Sequence, residues 1–207
     1  MKKILMSVAA VAMLSAAAVA GEAKPMPKPE PTTLENLQAA FNGESNAKAR
    51  YEAFAAKAQT EGYLGAASLF KAAAASEAIH AAKHAKAIEA LGGVAKADVK
   101  APVVKSTKEN LKEALNGENH EAKKMYPAFL KKAEADKNTQ AMYSFKGAMA
   151  AEKMHAQYYS QALKNLNGWK TAKKFLVCQV CGYTTMDLNL KVCPVCSAPR
   201  EQFTEIQ

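Results

Sequence analysis

Arginine is almost missing from this 207-residue chain: Arg50 and Arg200 are the only two, so lysine carries the formal net charge of +9. The lysines are scattered and not interleaved with aromatics, which speaks against a nucleic-acid-binding stripe. Aromatic residues make up only 7%, with a single tryptophan, Trp169. That is too few for a β-sandwich, whose strands favour aromatic and β-branched residues. Four cysteines occur, all between Cys178 and Cys196, which excludes a disulfide-built scaffold of this length. The one long apolar run is Ile4 to Ala20, so a multi-span membrane protein is excluded too. With 49% hydrophobic and 23% charged residues, most of the chain is not disordered. What it has in quantity is alanine, 44 residues, the strongest helix former. A mainly α protein is expected, with one large helical domain and a small second one.

Lys2 and Lys3 precede the apolar run, and Ala18-Val19-Ala20 supplies small residues before Gly21. This is the three-part pattern of a cleaved secretory signal over residues 1–20. The run is short for a membrane anchor, so no stable membrane insertion is expected. General export to a bacterial periplasm is the expected localisation. Residues 21–33 follow as a tether, in which Pro25, Pro27, Pro29 and Pro31 keep the chain extended and out of any helix.

From Leu34 to Gly168 the pattern predicts four helices, at about 34–61, 64–91, 107–136 and 138–167. Thr32-Thr33 with Glu35 and Ser106-Thr107 with Glu109 are candidate capping boxes. Pro127, inside the third helix, should kink it or shift its hydrogen bonding. The second pair of helices repeats the first. Glu35-Asn36-Leu37 returns as Glu109-Asn110-Leu111 and Asn42-Gly43-Glu44 as Asn116-Gly117-Glu118, 74 residues later. Phe70-Lys71, Glu77 and His80 return as Phe145-Lys146, Glu152 and His155, 75 residues later. A one-residue length change between the helices accounts for the difference. The halves therefore read as a duplicated helical hairpin related by a pseudo-twofold axis.

Such an axis brings equivalent residues face to face. Glu77 and His80 project from one side of their helix, as do Glu152 and His155, and Glu44 and Glu118 add one carboxylate from each remaining helix. The set matches the known arrangement of ferritin-like di-iron proteins. Carboxylates bridge and neutralise two cations, and imidazole suits iron. One Glu-x-x-His is an ordinary solvated pair, but two symmetric copies in a bundle core would be badly unstable without metal. Glu121, three residues after Glu118, breaks the symmetry because its counterpart is Ala47; one metal then has an additional carboxylate within reach. His84 and His120 are expected at the surface or behind the ligands, neither having a counterpart in the other half.

The tail carries Cys178-x-x-Cys181 and Cys193-x-x-Cys196, eleven residues apart. Paired turns of this kind place four thiolates around one tetrahedral ion, and zinc or a single iron both fit. Two disulfides are the competing reading in an exported protein. The tail is too small to hold a core unaided, so metal should be needed for it to fold.

Together, Asn42-Gly43-Glu44-Ser45, Glu77-Ala78-Ile79-His80, Gly117-Glu118-Asn119-His120-Glu121, Glu152-Lys153-Met154-His155 and the cysteine tail resemble the rubrerythrin family from Leu34 to the end. The resemblance implies a ferritin-like di-iron four-helix bundle over 34–168 and a small C-terminal rubredoxin-like metal-binding domain over 169–207. It implies reduction of hydrogen peroxide to water, with electrons from a donor protein relayed by the four-cysteine iron. The di-iron ligands would be Glu44, Glu77, His80, Glu118, Glu121, Glu152 and His155, with Glu77 and Glu152 bridging. One iron would exchange His80 for Glu121 as its oxidation state changes. Tyr51 and Tyr126 match tyrosines that hydrogen-bond around the family's site. A homodimer is implied, the tail meeting the bundle of a second subunit. Ser197 stands where free-standing rubredoxins carry glycine, a position favouring φ > 0. The alternative function is ferroxidase or iron handling, with a structural zinc in the tail.

Overall fold

The computed structural model describes residues 30–207. The export signal expected over 1–20, and the tether as far as residue 29, lie outside the described residues. Helix α1 (Thr33–Thr60) and helix α2 (Leu64–Ala90) form one hairpin, turned at Gly62 with φ +77°. An extended connection, 91–106, crosses to the second hairpin. It runs along α1, where Asn42 Oδ1 accepts from the Asp98 N–H (2.8 Å) and Asn46 Oδ1 from the Lys100 N–H (2.9 Å). Both expected capping boxes are present: the Thr32 and Ser106 side chains accept from the amides of Glu35 and Glu109, whose carboxylates reach back.

The expected third helix is one rod in three pieces. Helix α3 (Thr107–His120) passes into a π-helical turn (Glu121–Met125) and then into α4 (Tyr126–Ala135). The Tyr126 N–H reaches back five residues to the Glu121 carbonyl, immediately before Pro127, which has no N–H to give. This corrects the placement of the one-residue length change. It lies inside the helix: Glu44 and Tyr51 are seven apart, their counterparts Glu118 and Tyr126 eight. A π turn absorbs one extra residue without breaking the rod. Helix α5 (Thr139–Lys164) closes the second hairpin.

Two apolar clusters fill the bundle. One gathers Phe54, Phe70, Tyr159 and Trp169, the other Leu37, Ile88, Phe145 and Ala148. The tail forms an antiparallel sheet of order β2-β1-β3, from β1 (Phe175–Cys178), β2 (Thr184–Thr185) and β3 (Phe203–Ile206). Val177 pairs with Thr184, and Cys178 with Phe203. Phe175 stacks on Trp169 and packs edge-on to Tyr158 of α5, which ties the sheet to the bundle. Among the described residues no helix is long and apolar enough to cross a membrane.

Candidate metal centres

Helical spacing turns Glu77 and His80 of α2, and Glu152 and His155 of α5, into the bundle, where all four are buried. His80 Nδ1 lies 2.8 Å from Glu77 Oε2 and 3.1 Å from Glu152 Oε1. His155 Nδ1 lies 2.9 Å from Glu152 Oε2 and 3.3 Å from Glu77 Oε1. Glu77 and Glu152 therefore face both histidines. Two sets of ligand atoms result, each within 4.8 Å: Glu44, Glu77, His80 and Glu152, and Glu77, Glu118, Glu152 and His155. Six of the seven expected residues meet. Glu121 belongs to neither set; it stands half-buried at the π turn.

Two cations fit this chemistry. Glu44 Oε2, Glu118 Oε2, both Glu152 oxygens and His155 Nδ1 are buried without a properly directed hydrogen bond, a costly arrangement unless something positive sits among them. Burial and the neighbouring carboxylates, Glu152 foremost, push Glu44 and Glu118 well above the usual carboxylate range, and Glu121 up to about 8. Despite burial, Glu152 and Glu77 raise His80 to about 10. Without metal the cluster must hold protons; two divalent cations would replace them.

Tyr51 and Tyr126 repeat one role across the pseudo-twofold axis. Tyr51 donates to Glu118 Oε1 (2.5 Å), and Tyr126 donates to Glu44 Oε1. His120 is exposed, as expected. His84 is fully buried: its Nε2 lies 3.1 Å from the Tyr126 hydroxyl and its Nδ1 2.7 Å from Ser144 Oγ. Burial pushes its imidazole down to about 3. It also has a positional counterpart, Tyr159, 75 residues on. A search for identical residues passes over that match.

The four cysteines are free thiols, which removes the disulfide reading. Cys178 and Cys196 Sγ atoms are 3.6 Å apart, as are those of Cys181 and Cys193. Four thiolates at about 2.3 Å from one tetrahedral ion would be about 3.8 Å apart. The Cys181 thiol and nearby amides hold Cys178 down to about 5, ready to ligate.

The first cysteine turn lies directly on the ligand histidines. The Gly182 carbonyl accepts from Ser76 Oγ at 2.7 Å, and Thr184 Oγ1 lies 3.1 Å from His155 Nε2. A Cβ on Gly182 would run into His80 Nε2, and one on Gly147 would come within 3.3 Å of the Cys181 carbonyl. Each histidine thus turns Nδ1 to the carboxylates and Nε2 to the tail. Ser76, Thr184 and Gly182 have no individual sequence signal, because their roles arise only where the tail docks.

A family profile described as rubrerythrin matches residues 35–163, and one described as the rubredoxin-like domain of rubrerythrin matches 177–204. Nigerythrin of Nitratidesulfovibrio vulgaris is 40% identical over 174 residues, covering 84% of this chain and 86% of that protein. Rubrerythrin-2 of Clostridium acetobutylicum is 36% identical, covering 83% and 95%. A solved structure of nigerythrin in its fully reduced, all-ferrous state superposes with a TM-score of 0.79 at 38% identity, covering 87% of this chain and 90% of that one. A Mycobacterium tuberculosis bacterioferritin, 17% identical with a TM-score of 0.60 over 69% and 90% of the two chains, shares the fold of the bundle.

Proposed function

The chain belongs to the rubrerythrin family, and from that premise we propose that it reduces hydrogen peroxide to water. The family's di-iron centre and four-cysteine site correspond to the carboxylate–histidine cluster and the Cys178, Cys181, Cys193, Cys196 set. Two irons held there would supply the electrons that reduce the O–O bond, and an iron on the four cysteines would serve as their one-electron relay. Glu44, Glu77, His80, Glu118, Glu152 and His155 would hold the pair, with Glu121 poised to join on a change of oxidation state. Tyr51 and Tyr126 orient Glu118 and Glu44 through their hydroxyls. Ser76 and Thr184 fix the cysteine turn against the two histidines, and outer partners of this kind set ring orientation.

The contact between the cysteine turn and His80 carries the reading. Contact with both ligand histidines gives an electron relay a short path to the metal pair, which a tail serving only as a structural clasp has no need of. The homodimer, the donor protein and export to the periplasm with cleavage before Gly21 belong to the same proposal. Stopped-flow mixing of the anaerobically reduced, iron-loaded protein tests it: oxidation by peroxide should outrun oxidation by air, with about three irons per chain. Faster reaction with oxygen, with zinc in the tail, would instead establish the iron-handling reading.

A further inference from the structure

We propose that Ser144 and His84 form a proton-entry route to Glu44, leading from a surface groove through Tyr126. The groove, about 480 Å³, lies where α2 and α5 meet the cysteine turns. Lys86, Tyr143 and Lys146 on its rim are exposed, and Ser144 lies among the lining residues. From there the links are continuous. Ser144 Oγ is 2.7 Å from His84 Nδ1, His84 Nε2 is 3.1 Å from the Tyr126 hydroxyl, and Tyr126 donates to Glu44 Oε1. Every member is buried, with Ser144 at 5% exposure the nearest to solvent.

The duplication supplies the internal control. Seventy-five residues separate Tyr51 from Tyr126, His84 from Tyr159 and Leu69 from Ser144. In the other half Tyr51 donates to Glu118 just as Tyr126 does to Glu44. Behind it stands Tyr159, whose hydroxyl has no hydrogen-bond partner among the described residues, and Leu69 is completely buried in the apolar cluster. Holding a tyrosine on its glutamate therefore requires neither a histidine nor a serine. Among the described residues the hydrogen bonds continue to this groove from the half beside Glu44 and His80, and stop at Tyr159 in the other.

The inference rests on the peroxide reading, since H2O2 + 2H+ + 2e− gives two H2O and each turnover consumes two protons. Groove water gives a proton to Ser144 Oγ as Ser144 gives its own to His84 Nδ1. His84 Nε2 passes one to the Tyr126 oxygen, and Tyr126 passes one to Glu44. Glu44 releases the proton to the peroxide oxygen, and bulk solvent neutralises the hydroxide left in the groove. One proton thus moves per passage, no charge stays on the chain, and the electrons come from the iron pair. Rotation of the hydroxyls and return of the imidazole to its first tautomer reset the route.

Two measurements test it on the full chain. In stopped-flow oxidation by peroxide, Ser144→Ala and His84→Phe should each slow the reaction by roughly a hundredfold, as loss of a positioned proton donor does. The solvent isotope effect should rise, and added imidazole should restore part of the rate in His84→Gly. Independently of turnover, 15N-histidine NMR of the zinc-loaded chain should show the His84 ring proton exchanging with water, and Ser144→Ala should slow that exchange about tenfold or more. Unchanged rates and isotope effects in both variants, or exchange indifferent to Ser144→Ala, would overturn the route. Should the native chain fail to react with peroxide, the functional reading falls while the exchange measurement still decides the route.

Discussion

Gly182 and Ser197 occupy the same place in two copies of one turn. Each follows the second cysteine of its pair, and each returns its N–H to the carbonyl of the first, Gly182 to Cys178 (2.8 Å) and Ser197 to Cys193 (3.0 Å). Both have left-handed backbone, φ +81° and +59°. Their surroundings differ: Gly182 is pressed on His80 and Ser76, whereas Ser197 faces solvent. Gly182→Ala adds left-handed strain to a collision with a ring, and should cost about 3 kcal/mol in denaturant unfolding. It should also slow electron passage from the reduced tail, read as delayed return of the ferric tetrathiolate colour. Ser197→Gly removes only strain, and should gain about 1 kcal/mol in the same measurement. The positive φ at Ser197 was readable from the resemblance, which places this residue where free-standing rubredoxins carry glycine. The tight packing at Gly182 was not, because nothing local says which turn meets the bundle.

The four long helices, their caps and the inward faces were legible because alanine-rich segments, capping boxes and repeated Glu-x-x-His spacings are local signals. The shift from a 74- to a 75-residue offset was legible as well, but only the structure shows that α3 absorbs it as a π turn. Sequence alone cannot distinguish a longer connection from a bulged helix when both flanks keep their register. Long-range caps were equally invisible. Glu61, at the end of α1, accepts from the Thr107 N–H (2.8 Å) at the start of α3 and pairs with Lys57 (3.0 Å). Thr107, through its side chain and backbone, and then Lys57 hold this carboxyl down from 4.5 to about 2. Because the folded value lies below the unfolded one, its stabilisation is complete above about pH 4.5 and is lost as pH falls through about 2. Glu61→Gln should therefore cost about 1 kcal/mol at pH 7. The gap from the native protein should close as chemical unfolding is repeated down that range. A gap independent of pH would show that the contact acts by shape and not by charge.

Both centres were legible as donor sets, since six bundle ligands and four thiolates are repeated patterns. Their proximity was not, because small and polar residues make the join: Ser76, Gly147, Gly182 and Thr184. That join has a kinetic consequence. The family resemblance implies that the tail serves the bundle of a second subunit, yet here Gly182, bonded directly to Cys181, lies against His80 of the same chain. Electron passage between the centres should then be first order and independent of protein concentration. The check is to reduce the tail selectively with a photochemical donor, follow loss of the reduced signal, and dilute the protein about a hundredfold. Within one chain the rate constant stays fixed even where sedimentation shows any dimer dissociating. A rate that falls as copies separate would mean that the docking surface is completed by a second chain, and that assembly gates turnover.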